Sequence, residues 1–497
     1  MADDFLRHVD DVFATVRARR TPRQRTPRRP DRTEGRAVVH VIVERDDEVT
    51  EPLVDLMWGR FSWIEGFIAV QFLCGALVFV PGAQQYRGVV RALPFIVSLG
   101  MLVLYALRPR TQSSRAPAGT GLLVCALLLY TLNLLHPTSQ LYAGVAQCVF
   151  QLSIAAPLFW AHKAVRSPAL VERLLVLIFV FNLLSASLGV LQVYFPSTFM
   201  PPEFSSLGLQ LNQFYVSSLT YIGNDGRVII RPPGLSDLPG GAAMAGATTA
   251  ILGLGLLLRR RSAIQVGAIL AAITIGFAAI YFTQVRSILL ATIGAGGLLA
   301  LVAFRRGRLL GASSIVLVGG AIVFASFVWA TSVGGSSVSS RFSTVQGTAA
   351  LDTYRDGRGG FVSQTVGEFL DTYPLGAGLG RWGMMNVYFG QSDLGAAPLY
   401  VEIQLTGWLL DGGVLMWFLY GGAVLTAMWS TYVLTGAKHG MLADVAIVVL
   451  ALEAYIAALT LGSPPFNTQL GVLFWTLVGA IQGATLLQGD VEGKLHS

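Results

Sequence analysis

From Ser62 to Leu487 this chain is a succession of apolar runs separated by short polar turns, with two long polar intervals. In lipid, a run of about 20 apolar residues can satisfy its own backbone hydrogen bonds only as a helix. About twelve such runs are present. They are Ser62 to Val80, Val89 to Leu107, Gly121 to Leu135, Tyr142 to Trp160, Leu170 to Tyr194, Gly240 to Leu258, Ile264 to Phe282, Ser287 to Phe304, Leu310 to Ala330, Leu409 to Leu434, Met441 to Leu461 and Gln469 to Leu487. The pattern predicts an all-α polytopic membrane protein of about 12 transmembrane helices. Charged residues make up only 13% of the 497-residue chain, whereas soluble domains carry roughly 25%. Lipid must therefore solvate much of its surface.

The basic residues set the orientation. With the amino terminus cytoplasmic, alternate loops carry Arg108, Arg110 and Arg115, then Lys163 and Arg166, then Arg259 to Arg261, then Arg305, Arg306 and Arg308, and last Lys438. The short loops on the other side hold little beyond Arg87 and Arg286. Arginine beside apolar runs is a topology signal rather than a nucleic-acid footprint. Both termini are then expected in the cytoplasm of a cell whose cytoplasmic membrane holds the protein. The long loops 196–237 and 331–408 face outward, the second capping the bundle. Residues 1–60 form a basic tail, dense in Arg and Pro from Arg17 to Arg36, expected to be largely disordered near anionic headgroups. No apolar h-region precedes a cleavage site, so no signal peptide is expected. Residues 61–487 form the transmembrane domain, and 488–497 a short cytoplasmic tail.

Several segments are placed to carry chemistry. At Thr283-Gln284-Val285-Arg286-Ser287 an arginine meets a helix amino terminus, where free N–H groups and the helix dipole favour an anion. Snorkelling to headgroups is the alternative. Arg227 and Arg231-Pro232-Pro233-Gly234 stand where the chain re-enters the membrane and can join Arg286 at one anion; an ordinary turn with solvated arginines is the plain alternative. The second long loop mixes Arg341, Arg355, Arg358 and Arg381 with Asp352, Asp356, Glu368 and Asp371, and with Tyr354, Tyr373, Trp382, Tyr388 and Tyr400. That composition permits a glycan site, and equally serves any folded cap. Pro374 to Gly383 is glycine-dense but does not lead from a strand into a helix, which argues against nucleotide binding.

Glu402 stands at the mouth of the tenth span, where partial burial suits a general base. Asp411 falls on another face and is expected to be structural, paired or capping near Gly412 and Gly413. Glu65, Asp444 and Glu453 are membrane-embedded acids whose default role is to join helices, with a proton path as the alternative. Cys74, Cys125 and Cys148 and the six histidines show no metal-ligand spacing. Neither metal nor cofactor is expected.

Together these segments resemble the O-antigen ligase and O-antigen polymerase superfamily of bacterial membrane glycosyltransferases, over roughly Phe181 to Val433. Arg231 to Gly234 looks like the family's R-x-x-G segment, Thr283 to Ser287 like T-x-S-R-S, and Pro374 to Gly383 like P-x-G-x-G. Glu402 to Gly413 looks like the segment that in ligases opens with His-Asn and closes with Glu-x-Gly. Val285 replaces a serine, Glu402 a histidine and Asp411 a glutamate. The carboxylate at the histidine position fits polymerase-like members.

The resemblance implies a C-type, metal-independent, inverting glycosyltransferase of the bacterial inner membrane. Its donor and acceptor are glycans on polyprenyl diphosphate. It implies Arg286 and Arg231 on the diphosphate with Arg227 and Arg381 as supports, and Glu402 as the base. Trp382, Tyr388 and Tyr400 are candidates for glycan contact. Membrane lipid, a chain-length regulator and export machinery are the further partners in view. The rivals are a ligase passing the glycan to a lipid or protein acceptor, a secondary transporter or flippase, and a structural subunit of an export complex. The absence of an evident internal repeat argues against the transporter.

Overall fold

The computed structural model describes residues 62–77, 80, 82–107, 116–200, 219–236, 240–259, 261–343, 355–390, 397–437 and 440–485. The basic tail, the carboxy-terminal tail, and Arg108, Arg110, Arg115, Asp237, Asp352, Tyr354 and Lys438 lie outside them. Every expected apolar run falls on a helix. These are α1 (Trp63–Leu77), α2 (Arg87–Leu107), α3 (Thr120–Asn133), α4 (Leu141–Ala164), α5 (Pro168–Tyr194), α6 (Gly241–Leu256), α7 (Ala263–Thr283), α8 (Arg286–Arg305), α9 (Leu309–Ser343), α10 (Gln404–Leu434), α11 (Gly440–Ala458) and α12 (Gln469–Gly483). Among the described residues eight helices are long and apolar enough to cross a membrane, and α1, α3, α6 and α12 are shorter apolar helices. The chain is an all-α, multi-pass membrane protein.

Helix ends meet in two sets. At one end lie arginine-rich turns, and five arginines there are held by carboxylates from other helices. Arg259 and Arg261 pair with Glu172 of α5. Arg308 reaches Asp444 of α11 at 2.8 Å with Arg306 behind it at 3.9 Å, and Arg173 reaches Glu65 of α1 at 2.7 Å. These ion pairs join α1 to α5, α5 to the α6–α7 turn, and the α8–α9 turn to α11. The acids Glu65 and Asp444 therefore do join helices, and Glu453 accepts the Thr431 hydroxyl of α10 at 2.9 Å. Two helices open on capping residues: Ser262 and Gln265 form a capping box on α7, and Ser167 with Pro168 opens α5. In the middle, α6 and α7 pack backbone to backbone. A Cβ on Gly246 would stand 2.3 Å from the carbonyl oxygen of Gly276. Small residues are what permit such contact in a membrane bundle.

The opposite end carries the cap, and two features differ from expectation. Helix α9 continues from Ala330 to Ser343, taking the first part of the long loop 331–408. It bends at Gly335 (φ 58°, ψ −142°), beyond which exposed serines return their hydroxyls to the helix's own carbonyls. A helix that has left the apolar run no longer shows in hydropathy. Loop 196–237 contains an antiparallel hairpin, β1 (Thr220–Ile222) and β2 (Val228–Ile230), in register Tyr221 to Ile229. It is fastened to the bend in α9 by Asn224 N to Val333 O (2.8 Å) and Ser337 Oγ to Ile222 O (2.8 Å).

Candidate functional site

In the cap, the glycine-dense segment Pro374 to Gly383 docks into a break in α10. Helical geometry stops at Gly412 (φ −162°, ψ 19°) and Gly413 (φ 66°, ψ −161°). Across the break, Ala377 N donates to Leu410 O at 2.7 Å and Val414 N to Pro374 O at 3.1 Å. The freed helical groups are thus satisfied by the docked loop, as irregular backbone at membrane depth requires. A Cβ on Gly413 would stand 2.1 Å from Pro374 O, so both the left-handed φ and the close approach demand glycine there.

Asp411 holds this joint. It is fully buried, and its carboxylate accepts from Tyr130 Oη (3.0 Å), Gln147 Nε2 (2.7 Å) and Trp382 Nε1 (2.6 Å). Asn133 donates to its backbone carbonyl at 2.6 Å, and Gln147 Oε1 accepts from Gly380 N at 2.8 Å. One side chain therefore binds α3, α4, α10 and the docked loop. The expected structural role of Asp411 is what the contacts display. Its partners Tyr130 and Gln147 were not singled out from the sequence. Gln147 carried a signal: an amide within an apolar run needs a polar partner.

Two of the expected site residues sit inside this joint. Trp382 is only 5% exposed, with its indole N–H on Asp411 and its ring against Gly407. Arg381, also buried, donates to Ala377 O and Ala397 O at 3.0 Å each, with its guanidinium 6.0 Å from the Tyr373 ring centre. Both side chains shape the cap from within, where the sequence expectation had them on glycan and diphosphate. Tyr388 stands on the short helix Gly383–Phe389 and accepts from Arg91 at 3.3 Å. Arg227 is exposed in the hairpin turn, paired with Asp225. The backbone N–H and the guanidinium of Arg227 hold the Asp225 carboxyl below its usual range.

Glu402, just before α10, pairs with Arg358 and with the hydroxyl of exposed Tyr400. Burial draws the Arg358 guanidinium below its ordinary value, opposed by nearby Tyr400. Arg358 was not among the residues expected at the site. A cation on a candidate base occupies the lone pairs that would take a proton.

The second group gathers at the cap ends of α6, α8 and α9. The start of α6 and the turn bearing Arg286 meet where a Cβ added to Gly240 would lie 3.7 Å from the Val285 side chain. Arg231 faces buried Tyr221 of the hairpin, whose hydroxyl is raised by burial and lowered again by that guanidinium. Arg341, on the extension of α9, lies close enough to Arg286 for the two cations to repel. Helix α8 opens at Val285, which provides no side-chain cap. Its first N–H groups consequently point to the Arg286 end without an intrahelical partner.

The turn between α11 and α12 bridges the two groups. Gly462 packs on Ser287, next to Arg286, and Phe466 N donates to Gln404 Oε1 at 3.0 Å, two residues from Glu402. Cavities of about 110 Å³ beside His162 and Gln482 and of about 30 Å³ between Glu172, Arg259 and Asp444 lie at the arginine-rich end. Among the described residues no group of three or more His, Cys, Asp or Glu side chains is placed to hold a metal ion.

Neither models of protein families nor curated protein sequences gave a match to this chain. The class defined by the fold is therefore that of a multi-pass helical membrane protein with a cap docked into a broken helix.

Proposed function

We propose that this protein joins polyprenyl-diphosphate-linked oligosaccharide repeat units at the outer face of a bacterial cytoplasmic membrane, as a metal-independent inverting polymerase. In this reading twelve helices cross the membrane, both termini are cytoplasmic, and the cap end faces outward. Arg286 and Arg231 bind the donor diphosphate. A hydroxyl oxygen of the acceptor glycan attacks the donor's anomeric carbon and its proton passes to Glu402. The bond from that carbon to the diphosphate oxygen breaks, and the lipid diphosphate leaves with the electron pair. Charge grows on the leaving oxygen as the bond lengthens, and fixed guanidinium groups stabilise it in proportion. Arg358 must turn from Glu402 before the carboxylate can take a proton, and the arriving diphosphate is the natural competitor for that cation.

The observation that carries the reading is the nearness of Arg286 and Arg341 at the start of α8, beside the start of α6 that follows the Arg231 segment, joined to the Glu402 segment through one turn. Resemblance of the four motifs to O-antigen ligases and polymerases supports it. The test is purified full-length protein in nanodiscs given only lipid-linked repeat units. Longer lipid-linked chains are expected, and none from Glu402→Gln or Arg286→Ala at wild-type protein levels. Unchanged elongation by both variants removes the assignment. Transfer only to an added lipid or protein acceptor makes the protein a ligase, and flux without covalent change makes it a transporter.

A further inference from the structure

Near the cap, helix α5 turns inward a face of small and polar residues: Ser185, Gly189 and Gln192, spaced four and three residues apart and all buried. A glutamine in an apolar membrane helix needs partners for its amide. Gln192 finds three, and all are backbone groups. Its Oε1 accepts from Gly234 N at 2.9 Å, and its Nε2 donates to Gly234 O and to Phe199 O at 3.1 Å each. Turned over, the amide would set its NH₂ group against the Gly234 N–H, so the orientation is fixed by the contacts. One side chain thus closes both backbone groups of a single residue, as the facing residue of an antiparallel strand would.

Ser185, two turns earlier on the same face, accepts from Leu235 N at 3.0 Å. Gly234 stands at φ 63°, and a Cβ there would lie 2.7 Å from Ser185 Oγ, so the segment seats on this face only with glycine at that position. A Cβ on Gly189 would overlap the Ala242 side chain at the start of α6. The face is a cradle for the residues that lead from the hairpin into α6. Arg231 is one of them. Its own backbone is tied on the other side, through Arg231 N to Leu219 O at 2.8 Å beside the hairpin. Between the two ties lie only Pro232 and Pro233, whose rings fix φ. With the middle stiff, a hold on Gly234 is a hold on the backbone of Arg231.

We infer that Gln192 is a positioning residue, which fixes the backbone carrying Arg231 for diphosphate binding by clamping Gly234 to α5. The inference rests on the diphosphate reading above and adds to it a residue of another element. Gln192 acts at a distance from the ligand, so its effect on binding must pass through Arg231.

A double-mutant cycle reads that dependence. Full-length protein in nanodiscs is titrated with farnesyl diphosphate, and hydrogen exchange is followed at Gly234 and Leu235. Arg231→Ala loses about ten- to a hundredfold in affinity, the loss of a charge-assisted hydrogen bond. Gln192→Met keeps the bulk and removes the three bonds; the Gly234 amide should exchange about tenfold faster and affinity should fall about fivefold or more. In the Arg231→Ala background the same substitution should change affinity less than about twofold, while the faster exchange persists. Ser185→Ala removes only the acceptor of Leu235 N, should show the same dependence at smaller amplitude, and decides the matter if Gln192→Met yields no folded protein. Equal losses of affinity in both backgrounds, or Gly234 protection and affinity as in wild type, overturn the inference and leave the diphosphate reading intact. A wild-type protein that binds no farnesyl diphosphate, or Arg231→Ala binding like wild type, removes the role of Arg231 and the inference with it.

Discussion

Replacing Asp411 separates a carboxylate needed for its shape from one needed for its charge, and the contacts fix what each substitution should do. Asp411→Ala takes the acceptor from Tyr130 Oη, Gln147 Nε2 and Trp382 Nε1. Tyr130 and Gln147 belong to the bundle and stay buried whether or not the loop is docked. Trp382 alone recovers water when Pro374 to Gly383 lifts away, so the docked state loses about 1–3 kcal/mol relative to the lifted one. That is about a 5- to 150-fold rise in the lifted population. Hydrogen exchange reads this directly. The amides of Ala377, Leu379 and Gly380 are bonded to Leu410 O, Ser139 Oγ and Gln147 Oε1, and should exchange faster by that factor. Asp411→Asn behaves differently. Its oxygen retains Gln147 and Trp382, which both bond Oδ1, and its nitrogen meets Tyr130 Oη, which can accept. Exchange should then change less than about fivefold. Protection in Asp411→Ala equal to wild type, or Asp411→Asn as labile as Asp411→Ala, would refute the argument that these three donors hold the loop.

Three further substitutions probe the frame. Gly413→Ala places a Cβ 2.1 Å from a backbone oxygen at φ 66°, so the yield of monodisperse protein on size exclusion should collapse, and a normal yield contradicts the docked geometry. Asp444→Asn leaves Arg306 and Arg308 facing each other; the unfolding midpoint should fall by an amount reflecting about 1–3 kcal/mol, the partial exposure of the arginines keeping it below a fully buried pair. Added salt should narrow that difference, and a salt-independent midpoint would point to packing instead. Glu453→Gln keeps an acceptor for Thr431 and should be neutral within about 1 kcal/mol, whereas loss of folded protein would show that the carboxylate has a partner beyond Thr431.

Hydropathy made the bundle legible because the rule behind it is severe: a backbone in lipid must close its own hydrogen bonds, so each apolar run became a helix. The parts it missed obey weaker rules. Beyond the break at Gly335, Ser336 to Ser343 offer only Val338 and Phe342, four residues apart and buried, too short a pattern among serines for hydropathy to register. The hairpin has three residues in each strand, too few to show alternation, although Gly223-Asn224-Asp225-Gly226 between them is a turn sequence.

At the cap, sequence separates residue types and not the direction in which they face. Trp382 and Arg381 have the chemistry of glycan and phosphate binding, and the same chemistry lets an indole N–H reach a buried carboxylate and a guanidinium close a loop's own carbonyls. The choice was made elsewhere, by Asp411 and by the glycines that let the loop approach α10. Glu402 lies on that same segment, nine residues before Asp411, and the docked loop adjoins it through Leu399 N to Arg381 O at 2.7 Å. A side chain that must meet a reacting hydroxyl within a few tenths of an ångström needs a rigid support. Loosening the joint at Asp411 should therefore let the Glu402–Arg358 pair drift without touching either residue. In the proposed reaction that would appear as a lower turnover number at unchanged diphosphate affinity. If Asp411→Ala instead shifts diphosphate affinity and turnover together, cap and anion turn form one unit, and the division of labour argued from their separate contacts is wrong.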